Sequence, residues 1–239
     1  MQSSKYLVVV AGGQGTRMGS STPKQFLTLG EKPILRRTIE KFLDAVPGIK
    51  TIVVLPEDHI PYWKKYCIME NFTAHQAFVP GGITRFHSVK NALGKVPDGA
   101  IVAIHDGVRP LISREMIRRM FREVEEGSLQ GLIPVLPCTD TLKSLRLVKD
   151  EGGERLVDSG KEAPQRSEIW GAQTPQIFLS DAIKEAYRLP FSTSFTDDAS
   201  VAREKGIPLA YCPGERFNIK ITTPEDLVLS EAILSIGKG

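Results

Sequence analysis

Short apolar runs alternate with amphipathic stretches along most of the chain. Runs rich in β-branched residues predict strands at residues 6–11, 51–55, 77–79, 100–104 and 132–136. Because these runs are almost continuously apolar and helical patterns separate them, they indicate parallel strands with helices on both faces. The predicted fold class is therefore α/β with a mostly parallel sheet, as a single domain over residues 1–239.

Two predicted helices carry end signals as well as apolar spacing. In the first, over residues 113–126, Ser113 is the expected N-cap and Gly127 follows the last turn. Its apolar stripe consists of Met116, Ile117, Met120, Phe121 and Val124. In the second, Thr223 is the expected N-cap, Pro224 suits the first helical position, and Gly237 follows the last apolar residue.

One stretch departs from this alternation. Residues 141–157 form two semi-apolar arms around the turn-forming residues 150–153, which predicts a β-hairpin without a helical crossover. The hairpin could extend as an arm, over residues 138–166, onto a second subunit. It could equally add antiparallel strands to the edge of the sheet.

Charge and cysteine content narrow the class of protein. The 239 residues include 31 Lys and Arg against 28 Asp and Glu, a formal net charge of +3, which gives no reason to expect a nucleic-acid or membrane partner. Three widely spaced cysteines, Cys67, Cys138 and Cys212, indicate neither a disulfide framework nor a zinc site and favour a reducing cytoplasm. No apolar run is long enough for a signal-peptide core or a membrane span.

A glycine-rich loop, AGGQGTRMGSSTPKQF, follows the first predicted strand at residues 11–26. Glycines let backbone N–H groups approach phosphate oxygens, and Arg17 and Lys24 can neutralise a polyphosphate. The loop lacks the GK[ST] of a Walker A motif, and Met18 stands where GxGxxG requires glycine. A turn with two incidental cations is the alternative, but the carboxyl end of a strand is where open α/β sheets bind ligands.

Two further strands end in polar segments. PGGITRFHSV, at residues 80–89, brings paired glycines with Arg85 and Ser88, although an ordinary strand-to-helix connection has the same residue types. In IHDGVRP, at residues 104–110, Asp106 suits a magnesium ion and Arg109 suits a phosphate. The alternative is an internal ion pair between these two residues.

The C-terminal half adds hydroxyl and cationic side chains, at Thr141, Arg166, Thr174, Thr196 and Lys220. No Ser/His/Asp or Cys/His set stands out, and the four scattered histidines are interpreted as structural. One metal-binding carboxylate with many phosphate donors fits phosphoryl or nucleotidyl transfer, in which positioning and charge stabilisation supply most of the catalysis. General acid–base hydrolysis is disfavoured.

A family resemblance unites these segments. In order along nearly the whole chain, AGGQGTRM, PKQFL, PGGITRFHSV, HDGVRP, DTLK, RSEIWGAQTPQIF, TDDAS and NIKITTPEDL closely resemble the 2-C-methyl-D-erythritol 4-phosphate cytidylyltransferases of non-mevalonate isoprenoid synthesis. The resemblance implies a Rossmann-like nucleotidyltransferase domain and a homodimer with exchanged arms. It also implies magnesium-dependent transfer of CMP from CTP to a sugar-alcohol phosphate, with loss of diphosphate.

The resemblance further implies roles for individual residues. Two of these residues, Arg17 and Lys24, match the family's cations that stabilise charge as diphosphate leaves. The family's loop around the CTP phosphates is matched by Ala11, Gly12, Gly13 and Gly15. The segment around cytosine and ribose matches Gly81, Gly82, Arg85 and Ser88. Asp106 matches the family's aspartate for magnesium and the acceptor phosphate, and four residues match its acceptor pocket, namely Arg109, Thr141, Thr174 and Thr196. Arg166 matches an arginine from the partner subunit's arm, and Lys220 a cation near the reacting α-phosphate.

Departures from the family pattern keep other functions open. The loop begins Val10-Ala11-Gly12-Gly13 where many relatives have Pro-Ala-Ala-Gly, and Ile83 stands where many have Asp. The loop form and the ending FNIKITTP also occur in ribitol-5-phosphate cytidylyltransferases, whereas Trp170 before AQT resembles the methylerythritol branch. A ribitol-5-phosphate enzyme and a non-catalytic nucleotide-binding protein are the alternatives. A non-catalytic binding protein has no evident need for Arg17, Lys24, Asp106 and Lys220 together.

Overall fold

A computed structural model describes residues 3–13, 22–150 and 153–237. The strands in these ranges are β1 (Lys5–Val10), β2 (Thr28–Leu29), β3 (Lys32–Pro33), β4 (Lys50–Leu55), β5 (Gln76–Pro80), β6 (Ile101–Asp106), β7 (Gly131–Pro137), β8 (Leu145–Asp150), β9 (Gly153–Asp158), β10 (Trp170–Ala172), β11 (Gln176–Leu179) and β12 (Ala210–Pro213). The helices are α1 (Ile34–Ala45), α2 (His59–Met69), α3 (Arg85–Leu93), α4 (Arg114–Gly127), α5 (Ser180–Ala186), α6 (Asp198–Glu204) and α7 (Pro224–Ile236). Each strand and helix predicted above is present, and Ser113 and Thr223 cap α4 and α7 as predicted.

The main sheet is mostly parallel. Strands β5, β4, β1 and β6 lie side by side in parallel, and β11 pairs antiparallel with both β6 and β7. At the far side, β10 pairs antiparallel and β12 parallel with β7. The predicted α/β class is therefore confirmed, and the antiparallel strands β10 and β11 are additions that the sequence pattern did not indicate.

Helices bury both faces of the sheet. On β1, Leu7 and Val9 pack in one core cluster with side chains of α1, α2 and α4. Tyr6 and Val8, which point the other way, pack in a second cluster with side chains of α3, α5 and α6. A strand buried on both faces needs apolar residues at every position, which is why β1 shows no alternation of polar and apolar residues.

The order in which the strands are added to the sheet reverses at β1, and this reversal opens a crevice at the carboxyl ends of the strands. β4 and β5 lie on one side of β1 and β6 on the other, so Val10 pairs with both Val54 and Asp106. The carboxyl ends of three strands thereby meet where α/β sheets bind ligands. Gly107 continues β6 in very close packing, since a Cβ there would lie 2.9 Å from the Cβ of Ala11.

The hairpin of β8 and β9 forms a two-stranded sheet of its own. Its strands pair in register from Leu145 with Asp158 to Asp150 with Gly153, and most of its side chains are exposed. Among the described residues it pairs with no strand of the main sheet, so the alternative of an edge addition is wrong. The hairpin is separate from the main sheet, and residues 151–152 of its turn lie outside the described residues.

Candidate active site

A cavity of about 240 Å³ opens at the carboxyl ends of β1, β5 and β6. It gathers predicted residues from segments far apart in the sequence, namely Ala11, Gly12, Gly13, Lys24, Gly82, Arg85, Ser88, Asp106 and Lys220. Gly81 lines an adjoining cavity that shares Gly12 and Gly82 with the first. The topology of the sheet therefore brings together the glycine-rich loop after β1, the glycine pair after β5 and the aspartate at the end of β6.

The loop after β1 presents backbone and one ammonium group to this cavity. A Cβ built on Gly12 would have no atom within 4 Å, and one built on Gly13 would lie 4.0 Å from Lys24 Nζ. Bare backbone N–H groups beside an ammonium group suit the oxygens of a phosphate. Gly15 and Arg17, which the sequence assigns to the same loop, lie outside the described residues.

Asp106 is the electrostatic centre of the cavity. One carboxylate oxygen, Oδ2, lies 3.1 Å from Arg109 Nε and 3.1 Å from Lys220 Nζ, and Oδ1 lies 3.9 Å from Arg85 Nε. Burial raises the pKa of Asp106, but the charges of Arg85, Lys220 and Arg109 outweigh it and hold the pKa well below its usual range. The internal ion pair with Arg109 is thus present, and Lys220 shares the same oxygen.

A chain of hydrogen bonds fixes the backbone on either side of Asp106. Thr174 Oγ1 accepts the Asp106 N–H at 3.1 Å and lies 3.0 Å from His105 Nδ1. If Thr174 donates to Nδ1, His105 carries its proton on Nε2, which then donates to the Arg109 carbonyl at 3.1 Å. Burial lowers the pKa of His105 to about 4, so the ring is neutral at neutral pH. The hydroxyl of Thr174 is therefore engaged with the backbone of the site.

The segment that carries Lys220 is anchored to the same place. Arg109 Nη1 donates to the Asn218 carbonyl at 2.8 Å, and Asn218 Nδ2 donates to the Thr174 carbonyl at 2.8 Å. The Ile221 N–H donates to the Val108 carbonyl at 2.9 Å. These bonds hold the chain on both sides of Lys220 against the end of β6, which explains how a residue more than a hundred positions away reaches Asp106.

Arg85 and Ser88 shape the segment after β5 through contacts within the protein. The Arg85 guanidinium donates to both oxygens of the buried Asp198, at 2.9 and 2.7 Å, and the Tyr187 hydroxyl donates to Asp198 at 2.6 Å. Ser88 Oγ accepts the Gly82 N–H and donates to the Thr84 carbonyl, both at 3.0 Å. Both side chains line the cavity, and their polar groups fix its wall.

Of the predicted acceptor residues, Arg109 and Thr174 contact Asp106 without lining this cavity, and three others lie apart from it. Thr196 lines a second cavity of about 700 Å³ beside β7 and β12, together with Trp170 and Tyr211. Arg166 is exposed and donates to the Thr139 carbonyl at 3.4 Å, and Thr141 is exposed as well. Neither Arg166 nor Thr141 is among the residues that line these cavities.

Comparison with known proteins assigns the chain to a family. Residues 6–236 match the family model described as IspD, 2-C-methyl-D-erythritol 4-phosphate cytidylyltransferase. The chain belongs to this family. The predicted family resemblance is therefore confirmed.

Similar proteins match over nearly their full length. A Bacteroides thetaiotaomicron protein named 2-C-methyl-D-erythritol 4-phosphate cytidylyltransferase is 42% identical over 228 residues, which cover 95% of this chain and 98% of that protein. A Porphyromonas gingivalis protein of the same name is 43% identical over 236 residues, covering 98% and 100%. The crystal structure of the Francisella tularensis enzyme of this name is 29% identical, has a TM-score of 0.74, and is matched over 96% of this chain and 99% of that one.

The residues around Asp106 also test whether this IspD-family site suits a magnesium ion. The described residues contain no group of three or more His, Cys, Asp or Glu side chains that could hold a metal. Magnesium, however, is commonly bound by one or two carboxylates together with substrate phosphates. Asp106 Oδ1 is a compatible single donor, because its ion-pair contact among the described residues is the longer one, to Arg85 at 3.9 Å.

Several residues that build the site were not predicted as functional. The sequence indicates a structural role for His105, and it does not identify Asp198, Asn218 or Gln25 as functional. The signal for His105 is its position directly before Asp106 at the end of a buried strand. Asp198 is the second of two consecutive acids in TDDAS, and Gln25 directly follows Lys24 in PKQF.

Proposed function

We propose that this protein transfers CMP from CTP to 2-C-methyl-D-erythritol 4-phosphate, giving 4-diphosphocytidyl-2-C-methyl-D-erythritol and diphosphate. The names of its full-length relatives support this reaction and acceptor over the ribitol and non-catalytic alternatives. The observation that carries the proposal is the convergence of a bare-backbone loop, Lys24, Lys220 and Asp106 on one cavity at the switch point of the sheet.

The chemistry requires little beyond positioning and charge. An oxygen of the acceptor phosphate forms a bond to the α-phosphorus of CTP, while the bond from that phosphorus to the bridging oxygen breaks and diphosphate leaves with the electron pair. Negative charge therefore grows on the α-phosphate and on the leaving group. Lys24, beside the loop, and Lys220, beside Asp106, provide cations at two points of the cavity wall to stabilise that charge.

Asp106 has two tasks in this proposal. It holds Lys220 and Arg109 in place, because both cations share its Oδ2. Its Oδ1 would be the protein's ligand to magnesium. When bound, the ion neutralises phosphate charge.

The substitution Asp106→Asn tests the role of the charge. Asn keeps the shape of the side chain, but it removes the charge that both the cations and magnesium require, so transfer should be lost at every magnesium concentration. Activity is measured across a magnesium titration. Full activity with unchanged magnesium dependence would contradict both tasks.

The proposal includes a homodimer in which the arm, residues 138–166, reaches the partner subunit. Its support is the separation of β8 and β9 from the main sheet and the exposure of Leu145, Leu147 and Leu156 on them. Arg166 and Thr141 would then serve the partner's site.

Among the described residues, no helix is both long and apolar enough to cross a bilayer. Three free cysteines support a cytoplasmic location.

A substrate comparison tests the reaction. Purified protein is incubated with CTP, magnesium and either 2-C-methyl-D-erythritol 4-phosphate or ribitol 5-phosphate, and diphosphate release and product mass are measured. We expect kcat/KM at least about a hundredfold higher for the methylerythritol substrate. A preference for ribitol 5-phosphate would overturn the acceptor, and CTP binding without diphosphate release from either mixture would overturn the reaction.

A further inference from the structure

The side chain of Gln25 is buried in the wall of the cavity with its amide unpaired. Gln25 is only 1% exposed and lines the cavity together with Lys24, Asp106 and Lys220. Neither Oε1 nor Nε2 has a hydrogen-bond partner among the described residues. Burying a donor and an acceptor without partners costs free energy, so such groups in a native protein call for an explanation.

The backbone that carries Gln25 is firmly held. Lys24–Phe26 form a short 3-10 turn, in which the Phe26 N–H donates to the Pro23 carbonyl at 2.9 Å. The ring of Phe26 packs against Tyr62 and Trp63 of α2, with centroids 4.8 and 5.9 Å apart. Moving the Gln25 amide to solvent would require this packed turn to shift. The unpaired amide is therefore a built feature of the cavity wall.

We propose that the Gln25 amide contacts bound substrate in the reaction proposed above, on which this inference rests. Its Nε2 can donate to a phosphate, carbonyl or hydroxyl oxygen. Its Oε1 requires a donor, which a triphosphate does not have. The substrate groups that can donate to Oε1 are therefore hydroxyl and amino groups: those of the ribose or cytosine of the nucleotide, or of the polyol of the acceptor.

The substitution Gln25→Met separates this role from a structural one. Met has a similar length and shape but no hydrogen-bonding group, so it removes both unpaired atoms and should leave the free protein as stable as wild type or more stable. The same substitution removes the contact to substrate. We expect kcat/KM to fall about tenfold or more, as for the loss of one or two hydrogen bonds.

Thr51 offers a matched control. It is 2% exposed, its Oγ1 also has no partner among the residues described, and it does not line the cavity. Thr51→Val should therefore preserve or raise stability and leave kcat/KM unchanged. Urea unfolding and steady-state kinetics are measured for both variants, with Gln25→Leu as a second variant in case the Met protein does not fold.

Binding and kinetic measurements together identify which substrate Gln25 contacts. Weaker binding of CTP alone, measured by calorimetry, would place the contact on the nucleotide. Unchanged CTP binding with a higher KM for the acceptor would place it on the polyol. Unchanged kinetics in a folded Gln25 variant, whatever its stability, would overturn the inference. Transfer by the wild-type protein is measured separately. A failure of the proposed function is therefore distinguished from a failure of the inference about Gln25.

Discussion

At the scale of single residues, the site depends on one carboxylate that several cations share. Burial alone would raise the pKa of Asp106, yet Arg85, Lys220 and Arg109 keep it ionised. In return, Asp106 orients Lys220 and Arg109, which come from different parts of the chain. Lys24 adds another positive charge on the loop side of the cavity. The cations outnumber the carboxylates around the cavity, so it attracts a polyanion.

Lys24 provides the sharpest test of how that charge is used. If it stabilises charge that develops only as the α-phosphate is attacked, Lys24→Ala should lower kcat by roughly a hundredfold or more while CTP still binds. Steady-state kinetics and calorimetry with CTP measure the two effects. The control Lys95→Ala removes an exposed lysine that does not line the cavity and should change neither. Near-normal kcat with weakened CTP binding would mean that Lys24 only holds the ground state.

The sequence predicted most residues of this cavity, because strand ends and glycine loops are visible as local patterns. It could not predict how Thr174 and His105 act, since their contact exists only because β11 pairs antiparallel with β6. It also offered two interpretations of Asp106, as a ligand site or as an ion pair with Arg109. The ion pair is present, and it is compatible with a ligand site because Lys220 converges on the same carboxylate.

At the scale of elements, the pair of Arg85 and Asp198 ties helices together on one face of the sheet. Arg85 begins α3, Asp198 begins α6, and Tyr187 directly follows α5. Burial raises the pKa of Tyr187 and the nearby charge of Asp198 raises it further, so its hydroxyl stays protonated and donates. The sequence marks TDDAS as a motif, but the start of a seven-residue helix has too little periodicity to predict which acid faces inward. Asp197 caps α6, and Asp198 points into the core.

Removing this charge should loosen the whole group of helices. Asp198→Asn leaves the Arg85 guanidinium without its bidentate partner, and we expect the free energy of unfolding to fall by about 3–5 kcal/mol. The control Asp44→Asn breaks the ion pair between Asp44 and Arg114, in which both side chains are about half exposed. This substitution should cost less than about 1 kcal/mol. Urea unfolding measures both. Equal small losses would show that the buried pair contributes no more than a surface pair.

At the scale of the whole molecule, the arm has apolar side chains that the described residues of its own chain leave exposed. Leu145, Leu147 and Leu156 are each about half exposed or more, and the arm pairs with no described strand of the main sheet. Arg166, the last residue of the arm, lines none of the cavities described above. An isolated two-stranded hairpin is at best marginally stable, so a second subunit that covers its apolar side chains would stabilise it.

A mixing experiment tests whether two chains share each site. If each site takes Lys24 from one chain and Arg166 from its partner, mixing inactive Lys24→Ala and Arg166→Ala chains with subunit exchange makes about half of the dimers mixed. Each mixed dimer has one site with both lesions and one with neither, so activity should recover to about a quarter of wild type. Lys24→Ala mixed with Lys220→Ala is the matched control, because both residues line the same chain's cavity and no intact site can form. A mixture with Arg166→Ala that is verified to contain heterodimers, yet recovers no more than this control, would show that Arg166 serves its own chain.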